Sequence, residues 1–268
     1  MSVGRFVCIS IYVGLLFVTP AYALENCVTP PTCDELGFTV NIEDCAGAAL
    51  KCPWDLSKAA CRVKSAEVPL PILYGDGTVD KKIFENKTPI GIVFDETNRL
   101  ALALIEVNSS TPIGNTPVYW SNNYCDIPEL MNCQYDYGNI AIDSCSADGQ
   151  TNTAVILATN DDCSGRTIAA IETNLYQPQG CSTDFCKKNQ WFLPSMRDLA
   201  KIYVNKSTIN TCLSLLNSFG AKTLIESYYW SSNEYNRNYA WNFHMRDGYR
   251  GHCLKNVNDS YVRPVIKY

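Results

Sequence analysis

Histidine is scarce in this sequence, with only His244 and His252 among 268 residues. Two histidines in one short segment exclude a multi-histidine metal centre. No two cysteines are spaced as CxxC, which removes zinc-ribbon and thioredoxin-type sites. There is no G-x-S-x-G elbow, no glycine-rich phosphate loop and no Ser–His–Asp arrangement. Carboxylates are plentiful, but no pair stands out for glycoside hydrolysis. Charged residues make up 18% of the chain and the net charge is −5, so the basic domain that nucleic acid requires is missing. Internal repeats and low-complexity tracts are also missing, and no cofactor is implied.

Only one apolar run is long, "FVCISIYVGLLFV". Arg5 precedes it, and small residues at Ala21 and Ala23 follow. That is the layout of a secretory signal peptide over residues 1–23, cleaved after Ala23. Cys8 has no lipobox-like sequence before it. The expected product is exported, without a transmembrane anchor: secreted, periplasmic or on the cell surface.

Cysteine, by contrast, is abundant. Of 14, one lies in the signal segment, leaving 13 in the mature chain. At that density an exported protein carries a disulfide framework. The odd count leaves one thiol free or bridged to another chain. Five of them, Cys27, Cys33, Cys45, Cys52 and Cys61, crowd into residues 24–64. So short a piece buries little core and needs cross-links, so a small stapled module is expected there. A linker is expected over 65–71, and one large domain over 72–268.

Within that domain, "ILYGDGTVD" predicts two strands around an Asp76-Gly77 turn. "TPIGIVFDETNRLALALIEV" predicts two apolar strands joined by "DETN". Residues 109–150, polar and carrying Cys125, Cys133 and Cys145, read as a disulfide-pinned surface insertion. "TNTAVILATN" fits helix or strand. "GRTIAAIETNLY" predicts a helix with Ile168, Ile171 and Leu175 on its apolar face. Ser195 and Asp198 form a capping-box pattern, so a helix is expected to start at Ser195 with Leu199, Ile202 and Tyr203 inward. A second helix follows over 207–218, stopped by Gly220. Trp241, Phe243 and Met245 alternate with Asn242, His244 and Arg246, the pattern of a half-buried strand. Asp247-Gly248 offers a turn, and "SYVRPVI" a final strand with Pro264 near an edge. The fold class is therefore α+β.

The ordered set "LYGDGTV", "TPIGIVF", "LALAL", "NTAVILA", "WFLPSMRDLAKIYVN", "YWSSNE", "AWNF" and "YVRPV" resembles the C-terminal domain family of the bacterial collagen-like adhesin Lcl, domain of unknown function 1566. The resemblance spans about residues 70–268. It implies a C-type-lectin-like fold close to the formylglycine-generating-enzyme variant, used for adhesion or ligand binding. The enzyme branch of that fold uses a cysteine pair near its C-terminus, whereas here Cys253 stands alone. The calcium-binding Glu-Pro-Asn and Gln-Pro-Asp motifs of sugar-binding relatives are also missing; "QPQ" at 177–179 lacks the carboxylate.

The tail then carries the functional expectation. Residues 24–227 hold 15 Lys+Arg against 24 Asp+Glu, whereas 228–268 hold 6 against 3. Trp230, Ala240, Trp241, Phe243 and Val262 read as buried scaffold, and Ser231, Ser232, Glu234, Gly248, Lys255 and Arg263 as framework. Between them lie Asn233, Tyr235, Asn236, Arg237, Asn238, Tyr239, Asn242, His244, Arg246, Asp247, Tyr249, Arg250 and His252, a paratope-like set. The tail is also similar to the variable regions of retroelement-diversified proteins, which randomise adenines in Asn codons; the set contains only residues that this chemistry yields. The expected function is non-enzymatic recognition of a surface glycan or protein through this hairpin. Two alternatives stay open: an exported enzyme of the related fold acting through Cys253, and a structural envelope protein.

Overall fold

The structure is a computed structural model. It describes residues 9–12, 15–18 and 67–268, apart from 85, 108–116, 125, 131–132, 137–138, 146–147 and 160–166. The expected cysteine-rich module therefore lies outside the described residues, as do Cys125 and Cys163. The chain divides into two compact units, Met1–Ala66 and Glu67–Tyr268. In the first, within the expected signal segment, β1 (Ile9–Tyr12) pairs antiparallel with β2 (Leu15–Val18).

The second unit is α+β, built on antiparallel sheets. Its first strand, β3 (Glu67–Tyr74), starts inside the expected linker, so residues 67–71 belong to the sheet. The Asp76-Gly77 turn leads to β4 (Val79–Lys82) as expected, with Gly77 at φ +86°. β5 (Pro89–Asp95) and β6 (Leu100–Ala103) follow, joined by the polar turn. With β9 (Trp191–Phe192) and β13 (Val265–Lys267) they form a six-stranded sheet, ordered β4-β3-β5-β6-β13-β9. The final strand is thus interior, not an edge. Pro264 is tolerated because it precedes the strand and only its carbonyl is used, accepting from Ala103 N–H at 2.9 Å.

Both faces of this sheet are covered, which explains the nearly continuous apolar runs of β5 and β6. One face packs Ile72, Tyr74, Ile92, Leu102 and Val265 with Leu199, Ile202, Ile209 and Leu213 of two helices, α3 (Met196–Val204) and α4 (Lys206–Leu215). The other packs Leu73, Val93, Ala101 and Ile266 with Trp191 and Cys186. Cys181 and Cys186 form a disulfide that pins the covering segment.

The α3 cap matches its sequence signature. Ser195 Oγ accepts from Asp198 N–H, and Asp198 Oδ2 accepts from Ser195 N–H at 2.9 Å. α4 ends in a 3-10 turn, Asn217–Phe219, stopped by Gly220 at φ +84°. The ambiguous "TNTAVILATN" is helical, as α1 (Gly149–Ala158), capped by Asp148. The next helix, α2 (Ile168–Leu175), is where it was expected, with Ile168 packed in part against the core but the inward face shifted away from Leu175. It buries Ala169, Ala170 and Thr173, while Leu175 is 50% exposed. Small residues permit close approach, and Ala169 N–H bonds the Trp120 carbonyl at 3.3 Å.

The 109–150 segment is more than a surface insertion. Cys133 and Cys145 do pair, flanking the small hairpin of β7 (Gln134–Asp136) and β8 (Asn139–Ala141). Yet Val118, Trp120, Ile127 and Leu130 are buried and form a core with Ile156, Trp230, Ala240 and Val262.

Candidate functional site

The C-terminal sheet holds β10 (Tyr228–Glu234), β11 (Tyr239–His244) and β12 (Arg250–Leu254), in that order and antiparallel. β10 and β11 are buried on both sides, because α3 covers the Phe243 face and the Trp120 core covers the other, while β12 stays largely open to solvent. The half-buried alternation expected for β11 is therefore replaced by burial of both faces. Asn242 is only 3% exposed and His244 9%.

Burial changes the meaning of two candidates. Asn233 is fully buried, and its Oδ1 accepts from Met196 N–H at 2.8 Å, tying β10 to the start of α3. Asn242 donates from Nδ2 to Ser260 Oγ at 3.2 Å. Both serve the frame rather than a display surface.

Lys255 and Glu234 form the centre of that frame, a fully buried ion pair at 2.8 Å. Glu234 Oε2 also accepts from Ile127 N–H at 2.9 Å, and the Lys255 ammonium lies 4.6 Å from the Trp120 ring centroid. Burial pushes the Glu234 carboxyl up and the Lys255 ammonium down, each opposed by the partner charge. A second buried pair joins Arg263 to Glu106 at 2.6 Å, and Tyr229 donates its hydroxyl to the same Glu106 oxygen at 2.6 Å. Through Glu106 these bonds tie β10 to the segment that leads into the last strand.

The remaining candidates fall into two groups, at opposite ends of the sheet. At one end the 235–239 turn carries Asn236, Arg237 and Asn238, with Tyr235 and Tyr239 on its flanks. Asn236 Oδ1 accepts from both Asn238 and Tyr239 N–H, which fixes the turn. The rings of Tyr235 and His252 stack in parallel, 4.2 Å apart at 1°. Tyr239 meets His252 edge-on at 5.3 Å, and buried Trp241 supports Tyr235 from below at 4.9 Å. Burial lowers the His252 pKa, so at neutral pH the stack is uncharged.

At the other end, the 245–249 turn carries Arg246, Asp247 and Tyr249. His244 Nδ1 bonds Asp247 Oδ1 at 2.6 Å, and Tyr228 lies over the His244 ring at 4.4 Å. The turn needs Gly248, at φ +77°, where an added Cβ would lie 2.7 Å from the Tyr203 ring. Arg250 starts β12 on the same side as Phe243, its cross-strand partner.

Cys253 is a free thiol. Its Sγ donates to Asp259 Oδ2 at 3.0 Å, and burial followed by that carboxylate pushes its pKa up to about 11. The other free cysteine among the described residues, Cys212, is buried in the α4 core. An open groove of about 530 Å³ runs along α4, but Lys206 within it is tied to Glu226 and the Met245 carbonyl. Among the described residues no group of three His, Cys, Asp or Glu side chains is placed to hold a metal ion. No described helix is long and apolar enough to cross a membrane.

One exposed set was missed by sequence reasoning. Tyr119 and Tyr124 are each 41% exposed and flank Ser121, Asn122 and Asn123. The signal was present: "YWSNNY" at 119–124 echoes "YWSSNEY" at 229–235.

No family model and no curated protein matches the chain. Among solved structures it is similar to a fimbrial protein from Bacteroides ovatus, with a TM-score of 0.48 and 16% sequence identity. The similarity covers 74% of this chain and 48% of that one, so this chain spans about half the length of that structure.

Proposed function

We propose that this is an exported, non-enzymatic recognition protein whose C-terminal sheet binds a surface glycan or protein through the 235–239 end. The observation that carries this is the Tyr235–His252 stack, edged by Tyr239 and seated on Trp241. Flat rings held in place before binding lose little entropy when a ligand docks, and Tyr and Arg are the usual anchors of such contacts. The buried Glu234–Lys255 pair supports the same end of the sheet. The disulfides support an oxidising compartment, hence export to the periplasm or cell surface. A C-type-lectin-like assignment, following the resemblance to the Lcl C-terminal family, belongs to this proposal.

The rival enzyme needs a reactive Cys253. A thiol with a pKa of about 11 stays protonated at neutral pH, and only the thiolate is a nucleophile. That favours binding over covalent chemistry.

The test is a screen of the disulfide-bonded protein against immobilised glycans and surface-protein extracts, followed by single substitutions. Arg237→Ala and His252→Ala are expected to abolish the strongest signal with little change in melting temperature. Tyr249→Ala, at the far end of the sheet, is expected to leave it intact. A signal that falls only in step with stability would sink the proposal.

A further inference from the structure

The 119–124 loop belongs to no part of the expected site, yet the backbone places it beside the 235–239 turn. Lys255 N–H bonds the Asn238 carbonyl at 2.9 Å, and Ser121 N–H bonds the Lys255 carbonyl at 3.0 Å. Lys255, in the turn that follows β12, thus bonds both segments and links Ser121 to Asn238. The side chains repeat the link. Trp120 Nε1 donates to the Ser231 carbonyl at 2.9 Å, and Trp230 Nε1 donates to the Val118 carbonyl at 2.7 Å. Each segment anchors the other's tryptophan, so the two loops are held at a fixed distance.

Each loop presents the same chemistry. One carries Tyr119, Asn122, Asn123 and Tyr124; the other carries Tyr235, Asn236, Arg237, Asn238 and Tyr239. The exposed aliphatic side chains Val79, Leu175, Val204 and Leu215 lie elsewhere, on β4, α2, α3 and α4. A protein partner is met by an apolar interface core, with aromatics and methionine packed at its centre. A surface of tyrosine rings and carboxamides without aliphatic groups suits a pyranose instead. Ring faces take the sugar's C–H face, and amides both donate to and accept from its hydroxyls.

We propose that the 119–124 loop and the 235–239 turn form one continuous binding surface for a pyranose glycan, bound without a metal ion. The inference rests on the recognition role proposed for the tail and extends it by one loop and a ligand class.

The experiment is electrophoresis of the disulfide-bonded protein through native gels containing mannan, a β-glucan, galactan or polygalacturonate, with and without EDTA. Two double variants are compared with wild type: Asn122→Ala/Tyr124→Ala in the loop and Arg237→Ala/Asn238→Ala in the turn. All four side chains are exposed, and thermal melts check that both variants fold. Retardation by at least one polymer, unchanged by EDTA and weakened about tenfold or more in each variant, is the expected result. Loss in the turn variant alone overturns the shared surface and leaves the tail's role standing. Binding untouched by either variant overturns both. Retardation by no polymer overturns the glycan assignment, as abolition by EDTA overturns the metal-free mode.

Discussion

Trp120 and Trp230 hold each other's strands: each indole N–H, fully buried, donates to a backbone carbonyl in the other's segment, at 2.9 and 2.7 Å. The two residues are separated by 110 positions in the chain, so this exchange closes a long loop that local interactions cannot.

Replacing either tryptophan by phenylalanine keeps most of the ring and removes only the donor. Each of Trp120→Phe and Trp230→Phe is expected to cost about 1–3 kcal/mol, because a buried carbonyl loses its partner. The double variant is expected to cost less than the sum, since the bonds share one interface. Urea denaturation of the four proteins measures the coupling.

Lys255→Met removes the counter-charge that holds Glu234 ionised, so the buried carboxyl must take up a proton and loses its partner, which is expected to cost about 3–5 kcal/mol. Removing the carboxyl as well, with Lys255→Met/Glu234→Leu, is expected to recover most of that loss. Melting temperatures decide the matter; a double variant as unstable as the single would show that the pair's value lies in its bonds to Ile127 and Trp120 rather than in charge balance.

The Asp198 carboxyl is raised to about 6 by burial, against the bonds from Ser195 that lower it. The folded state therefore holds this proton to about pH 6, the unfolded state only to the ordinary aspartate value near 4. Between these values the folded state binds more protons, so this group's contribution to stability falls as pH rises. The gain at pH 4 over pH 7 is about 2 kcal/mol. Asp198→Asn removes the titration, so wild type is expected to gain on the variant by that amount when denaturation is repeated at pH 4.

The Cys253 thiol is expected to alkylate slowly at pH 8 in the folded protein, and Cys212 not at all until the chain unfolds. Asp259→Asn removes a carboxylate that raises the thiol's pKa, so Cys253 should react faster. Mass spectrometry of iodoacetamide time courses distinguishes the two sites. Equal rates in wild type and variant would remove Asp259 from the account.

Local chemistry was legible where the relevant bond spans few residues. Ser195 and Asp198 are three apart, Asp76 and Gly77 adjacent, and both structures form as their residue types require. α2 shows the limit: periodicity located the helix, but Ile171 and Leu175 lost the core to Ala169 and Ala170, because Trp120 needed a close neighbour. The tail shows it again. Asn233 and Asn236 look alike in sequence, yet one is spent on Met196 and the other shapes an exposed turn. Side-chain type alone, including membership of the set that adenine mutagenesis yields, does not separate frame from display.

The sequence alone determined the α+β class, the helix cap, the turns and the crowding of recognition-type residues near the C-terminus, because each depends on propensity or short-range pattern. Tertiary structure decided which of those residues reach solvent. A second layer on each side of β10 and β11 buried Asn233 and Asn242, divided the rest between two ends, and brought residues 119–124 to one of them. Those outcomes depend on contacts between segments well separated in the chain, from Asn233 with Met196 to Ser121 with Lys255, and no local pattern records which side of a strand another segment will cover.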